Sequence, residues 1–122
     1  MDYGLWQKKM VGHMHKKGIS FMAGTDTPIG FLIPGFSLHD EIKELHESGL
    51  SVLEAIQSAT TNPAKYFNLE NSLGRIKSGF VADLIILNKN PIEDISNTKS
   101  ILAVIKEGNL MDRPFLDSLL GK

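Results

Sequence analysis

Asp26 closes the stretch Ala23-Gly24-Thr25-Asp26, between the apolar run Ile19 to Ala23 and a loop carrying Pro28, Gly30, Pro34 and Gly35. A carboxylate at the C-terminal end of a buried strand occupies the usual functional position of an α/β barrel. There it can bind a metal and exchange a proton with a metal-bound water. The same residue can instead do no more than organise a turn through its own backbone. His39 stands just past the loop, in the first turn of an expected helix, and could point toward Asp26. A helix N-terminus disfavours the imidazolium, so a neutral donor or acceptor fits there, as does a packing histidine. His13-Met14-His15 falls in an expected helix, where residues two apart do not share a face, and is rejected as a metal site. His46 fits the cation-favouring last turn of its helix as a structural residue. His46-Glu47 is no metalloprotease motif, because Leu50 stands where the second histidine is needed. Gly24 to Gly30 lacks the Lys-Ser/Thr of a phosphate loop. Spacing alone thus leaves one acid and one histidine, which is less than a mechanism.

The elements that must hold these residues follow from periodicity and punctuation. Residues 4–17 read as a helix with Leu5, Met10, Val11 and Met14 roughly on one face, lysines toward solvent and Gly18 as its stop. Ile19 to Ala23, bracketed by Gly18 and Gly24, reads as a buried strand. Ser37 and Asp40 fit a capping signature for a helix that buries Leu38, Ile42 and Leu45 and stops at Gly49. Ser51 and Glu54 form a second capping box, for a helix to about Thr60, and Pro63 opens a third short helix at its first position. From about Leu73 the character changes to short Ile/Val/Leu runs: buried strands at Ala82 to Leu87 and Ile101 to Ile105. A two-residue hairpin follows, centred on Gly108-Asn109, and a helical turn begins at Arg113. The strand at Ile19 to Ala23 has no evident partner, although such strands usually sit in covered parallel sheets. The chain therefore reads as the last portion of something larger.

Composition narrows the function classes. In 122 residues, 13 Lys+Arg against 14 Asp+Glu give a net charge of -1, without the basic excess of a nucleic-acid binder. With 42% hydrophobic and 22% charged residues the chain is of globular type. The absence of cysteine excludes disulfides, thiolate metal sites and cysteine nucleophiles. The N-terminal residues lack a signal-peptide core, and no apolar run approaches the roughly 20 residues of a membrane span. A soluble, cytoplasmic protein with no nucleic-acid or membrane partner is the expectation.

Read in order, GISFMAGTD, PGFSLHDEIKELHESGL, SVLEAIQSATTNPAKYF, GRIKSGFVADLIILNKNP and VIKEGNL resemble the C-terminal end of the amidohydrolase superfamily of metal-dependent hydrolases. Gly35-Phe36-Ser37-Leu38-His39 and Asn62-Pro63-Ala64 look like its imidazolonepropionase-like members. The resemblance implies an α/β fold, a C-terminal fragment of a (β/α)8 TIM barrel with part of a small β-sandwich. Residues 1–70 would be the last helix-strand-helix portion of the barrel, and residues 71–122 strands of the sandwich. It implies that Asp26 is a metal ligand and the proton shuttle for hydrolysis of an amide or other C–N bond of a small-molecule substrate. His39 would be a substrate-binding residue. The cofactor would be a divalent metal, zinc by family habit, in the full-length parent. The family's other metal ligands lie upstream of the matching motifs, and zinc sites use three or four protein ligands. The 122 residues alone are therefore expected to bind no metal tightly and to be inactive. The alternative is a non-catalytic truncated module that self-associates or pairs with a partner chain through exposed barrel surfaces.

Overall fold

The computed structural model describes residues 2–27, 30 and 32–121. Of the expected loop, Pro28, Ile29 and Phe31 lie outside the described residues. Helix α1 spans Tyr3–Lys16; Asp2 caps it by accepting from the Leu5 N–H at 3.3 Å, and Gly18 ends it at φ 81°. No residue of α1 is buried; Val11 alone joins the main core as a partner, and Leu5 and Met10 are exposed. Lys8, expected to face solvent, crosses to α2 and pairs with Glu44 at 2.8 Å and Glu47 at 2.5 Å. At Gly12 the two helices approach so closely that a Cβ would collide with the Ser48 carbonyl oxygen.

Helix α2 spans Ser37–Glu47 and buries Ile42 and Leu45 as its spacing predicts, whereas Leu38, expected on the same face, is exposed. Its start differs from the expected cap. Ser37 is already helical and its hydroxyl donates to the Ile33 carbonyl at 2.7 Å, while Phe36 holds the cap position without a side-chain bond. The turn from Ile33 to Ser37 continues into the helix, so that carbonyl takes what a cap would have offered. Asp40, free of the cap, pairs with Lys99.

Helix α3, Val52–Ser58, carries the expected box in full: the Glu54 N–H donates to Ser51 Oγ and the Ser51 N–H to Glu54 Oε2. Helix α4 spans Thr61–Tyr66, with Pro63 third rather than first. That position also costs no bond, because the first four N–H groups of a helix have no internal partner.

Strand β1 covers Leu84–Leu87, β2 Ile101–Lys106 and β3 Asn109–Met111, forming an antiparallel sheet in the order β1-β2-β3. β1 starts two residues later than expected, because Ala82 and Asp83 serve the hairpin. The Gly108 N–H donates to the Ala82 carbonyl, and the Glu107 N–H to Asp83 Oδ1 at 2.7 Å. β1 is also an edge strand with Ile85 and Ile86 exposed, not a buried one. Lys106 pairs with Asn109, so the turn is Glu107-Gly108, one residue before the expected centre. Both residues have positive φ, 52° and 82°, the geometry whose twist matches paired strands. A short 3-10 helix, Ile95–Lys99, links β1 to β2, and α5, Arg113–Leu119, closes the chain against β2.

The main core joins Ile42, Leu45, Leu50 and Ala55 of the α2–α3 region to Ile95 of the 3-10 helix. Phe21 and Ala23 pack against it. Residues 19–23 correct the buried-strand expectation: among the described residues they belong to no helix or sheet, with Ile19 45% and Met22 42% exposed. Burial from Phe21 to Thr27 nevertheless alternates strictly, odd positions half-buried and even ones exposed. The backbone keeps the period of a strand, with one face on the helices and the other open.

Candidate functional site

Asp26 falls on the open, even-numbered face of this segment, together with Met22 and Gly24. Its own backbone is left-handed, φ 53°, a conformation that aspartate tolerates better than most residues. On either side, Thr25 Oγ1 donates to Thr27 Oγ1 at 3.5 Å. An exposed carboxylate at the mouth of an extended segment can take a ligand, a metal or a proton.

His39 lies in the first turn of α2, half-buried, with an Nδ1 that has no solvent contact and no hydrogen-bond partner among the described residues. Burial lowers its pKa, Lys99 lowers it further, and Asp40 opposes them. These effects disfavour the imidazolium, in the direction its place near a helix start suggested. Among the described residues no hydrogen bond joins His39 to Asp26, so each is placed by its own element.

The remaining histidines keep to their structural readings. His13 is exposed, while His15 Nε2 lies 3.5 Å from Glu54 Oε2, so the His-x-His pair diverges. His46 Nδ1 is 2.8 Å from the Leu50 carbonyl and helps fasten the α2–α3 turn. Among the described residues no group of three or more His, Asp or Glu side chains converges as a metal centre. The donors present do not fit a complete site. The exposed Asp26 carboxylate fits as a single ligand only.

Two residues near the segment escaped the sequence reading. Glu41 is half-buried on α2; burial raises its pKa, a Gly24 N–H that faces its carboxylate opposes this, and Glu44 adds to the rise. Its signal was an acid beside the Leu38-Ile42-Leu45 face. Asn62 donates from Nδ2 to the Phe21 carbonyl at 2.8 Å. Its place before Pro63 marked a helix start and concealed this longer reach. A cleft lined by His15, Ser20, Phe21, Glu54, Gln57 and Asn62 lies beside the beginning of the segment, away from Asp26.

Residues 8–111 match the amidohydrolase family. The chain belongs to that family. It is 34% identical over 104 residues to an ochratoxinase of Aspergillus niger, a match covering 81% of this chain and 21% of the relative. It is 35% identical over 66 residues to an imidazolonepropionase of Kosmotoga olearia, covering 52% and 16% respectively. Among solved structures, a Xaa-Pro dipeptidase with methionine in its active site superposes with a TM-score of 0.76 at 36% identity. That match covers 86% of this chain and 25% of the dipeptidase chain. The resemblance seen in the motifs is therefore one of family and of fold. This amidohydrolase chain spans about a fifth to a quarter of the length of the ochratoxinase and the dipeptidase. No helix among its described residues is long and apolar enough to cross a membrane.

Proposed function

We propose that this chain is the C-terminal part of a metal-dependent amidohydrolase that cleaves an amide or other C–N bond of a small-molecule substrate. Residues 1–70 belong to its (β/α)8 barrel and residues 71–122 to its β-sandwich. The observation that carries the reading is the placement of Asp26: an exposed carboxylate at the end of a strand-like segment, inside the stretch matching the family. In the parent, a divalent metal, zinc by family habit, would supply a nucleophile at neutral pH by lowering the pKa of its water. Asp26 would contribute one ligand oxygen to it, and its carboxylate would serve as the proton acceptor and donor for the hydrolysis. His39, whose charged form burial disfavours, offers a donor or acceptor to the substrate. The peptide bond named in the similar Xaa-Pro dipeptidase supports the amide class.

Since one carboxylate cannot hold zinc tightly, the other ligands lie outside these 122 residues and the chain alone is inactive. Zinc titration by calorimetry tests this: the chain and its Asp26→Asn variant should bind equally weakly. Tight zinc binding that disappears in Asp26→Asn would overturn the account of the missing ligands. In the open reading frame that encodes the chain with any upstream codons, Asp26→Asn should reduce kcat for amide hydrolysis by about 10²–10⁴-fold. Full retention of activity would remove Asp26 from the mechanism.

A second reading, a non-catalytic module that self-associates, draws on the apolar residues left open. Ile19, Met22, Tyr66, Phe67, Ile76 and Leu110 are all exposed, and a partner covering such apolar side chains would remove them from water. Light scattering decides it: a stable folded monomer at high concentration counts against the module.

A further inference from the structure

We propose that Asn62 is a positioning residue for the Asp26 carboxylate, an inference that rests on reading Asp26 as the proton-transferring group. The segment from Phe21 to Asp26 has strand periodicity without a strand neighbour among the described residues, so something else must set its register. Two bonds do so. Asn62 Nδ2 donates to the Phe21 carbonyl at 2.8 Å, and the Ala23 N–H donates to the Ser58 carbonyl at 2.9 Å. In extended backbone the C=O of one residue and the N–H of the second residue after it point to the same edge. Asn62 and Ser58 together therefore take the place of a neighbouring strand along that edge.

The support behind the clamp is firm. Ser58 is fully buried, and its hydroxyl donates to the Ala55 carbonyl at 2.6 Å. Asn62 sits in the first turn of α4, and its bond to Phe21 spans 41 positions of sequence. A bond at each of two residues fixes rotation about the segment as well as its height. That matters because side chains alternate: a slip of one residue would turn Asp26 from the open face to the helix-packed face. Asn62 thus acts on Asp26 through the strand-like stretch Phe21 to Thr25, and no hydrogen bond among the described residues joins the two.

The test uses the 122-residue chain and heteronuclear NMR. Asn62→Asp is close to isosteric but replaces the NH2 donor with a carboxylate at neutral pH. It should move the Asp26 ¹³Cγ resonance and the Ala23, Gly24 and Thr25 amide signals, and speed exchange of the Ala23 amide about five- to tenfold. The Leu45 and Ala55 amides should stay in place. Lowering the pH through the carboxylic acid range restores an O–H donor toward Phe21. The Ala23 and Gly24 signals should then return toward those of the unaltered chain at the same pH. Ser58→Ala is the control, since it removes the Ser58–Ala55 side-chain bond of the neighbouring α3 but keeps both the Ser58 carbonyl and the Asn62 amide; the Asp26 resonance should not move. An Asp26 resonance unchanged in Asn62→Asp, or moved equally by Ser58→Ala, would overturn the proposal. These readouts involve no hydrolysis, so a failed clamp leaves the proton-transfer role of Asp26 standing. Conversely, full hydrolysis by Asp26→Asn would remove that role and leave the clamp.

Discussion

Leu45, on the amphipathic helix α2, and Met22, in the apolar run Ile19 to Ala23, are both large apolar residues, yet Leu45 is 6% exposed at the α2–α3 seam and Met22 is 42% exposed. The difference lies in what each stretch needs. An amphipathic helix satisfies its own backbone and asks only for a surface to cover its stripe, which α3 and the 3-10 helix supply for α2. An extended run must find partners for its backbone edges and cover for both faces. Residues 19–26 find one braced edge and one covered face among the described residues. Among the described residues the α2–α3 stripe is covered, whereas the segment that presents Asp26 keeps one face open.

Truncating Leu45→Ala should put the largest strain on this contrast, costing about 2–5 kcal/mol by urea unfolding. Met22→Ala should cost less than about 0.5 kcal/mol. Equal losses would mean that the segment is covered in solution, and the contrast would fall. Next comes the close contact between α1 and the end of α2. Gly12→Ala drives a methyl group into the Ser48 carbonyl and should cost about 1–3 kcal/mol, seen as a lower Tm. Ser51→Ala removes half of the capping box on α3 and should cost about 1 kcal/mol.

The smallest effect is that of pH, and it carries a sign. His39 is lowered in the fold, so the unfolded chain binds its proton first. Its contribution is complete above the ordinary imidazole range and is lost as pH falls through it. Glu41 is raised, so its contribution is present below the carboxylate range and lost as pH rises. Unfolding midpoints across pH 5–8 should therefore slope less in His39→Gln than in the unaltered chain. At neutral pH, Glu41→Gln should be at least as stable as the unaltered chain. A steeper slope in His39→Gln would reverse the assignment of a buried, neutral ring.

Much of the helical block was legible because its signals are local. The Ser51–Glu54 box, the Gly18 stop and the Ile42–Leu45 stripe act within four residues and appear as expected. The α2 start departed from the expected cap for one local reason and one distant one: the Ile33 carbonyl competed for Ser37, and Lys99, far along the chain, claimed Asp40. The hairpin centre moved by one residue because Asp83, far upstream, holds the Glu107 N–H and thereby selects the turn. At the candidate site the residue types, Asp26 and His39, were visible, whereas Glu41 and Asn62 were not. Their partners, Gly24 and Phe21, lie 17 and 41 positions away in the chain.

By itself the sequence determined the helix stripes and most of their ends, the lack of any thiol chemistry, and the order of motifs that identifies the family. Those properties depend on residue type and on neighbours within a turn or two. Tertiary structure alone decided that Asp26 faces outward, that His39 is half-buried beside Lys99, and that the strand-like segment takes its edge partners from α3 and α4. Each of these depends on burial or on hydrogen bonds between distant residues, and such pairings arise only when the chain brings the two elements together.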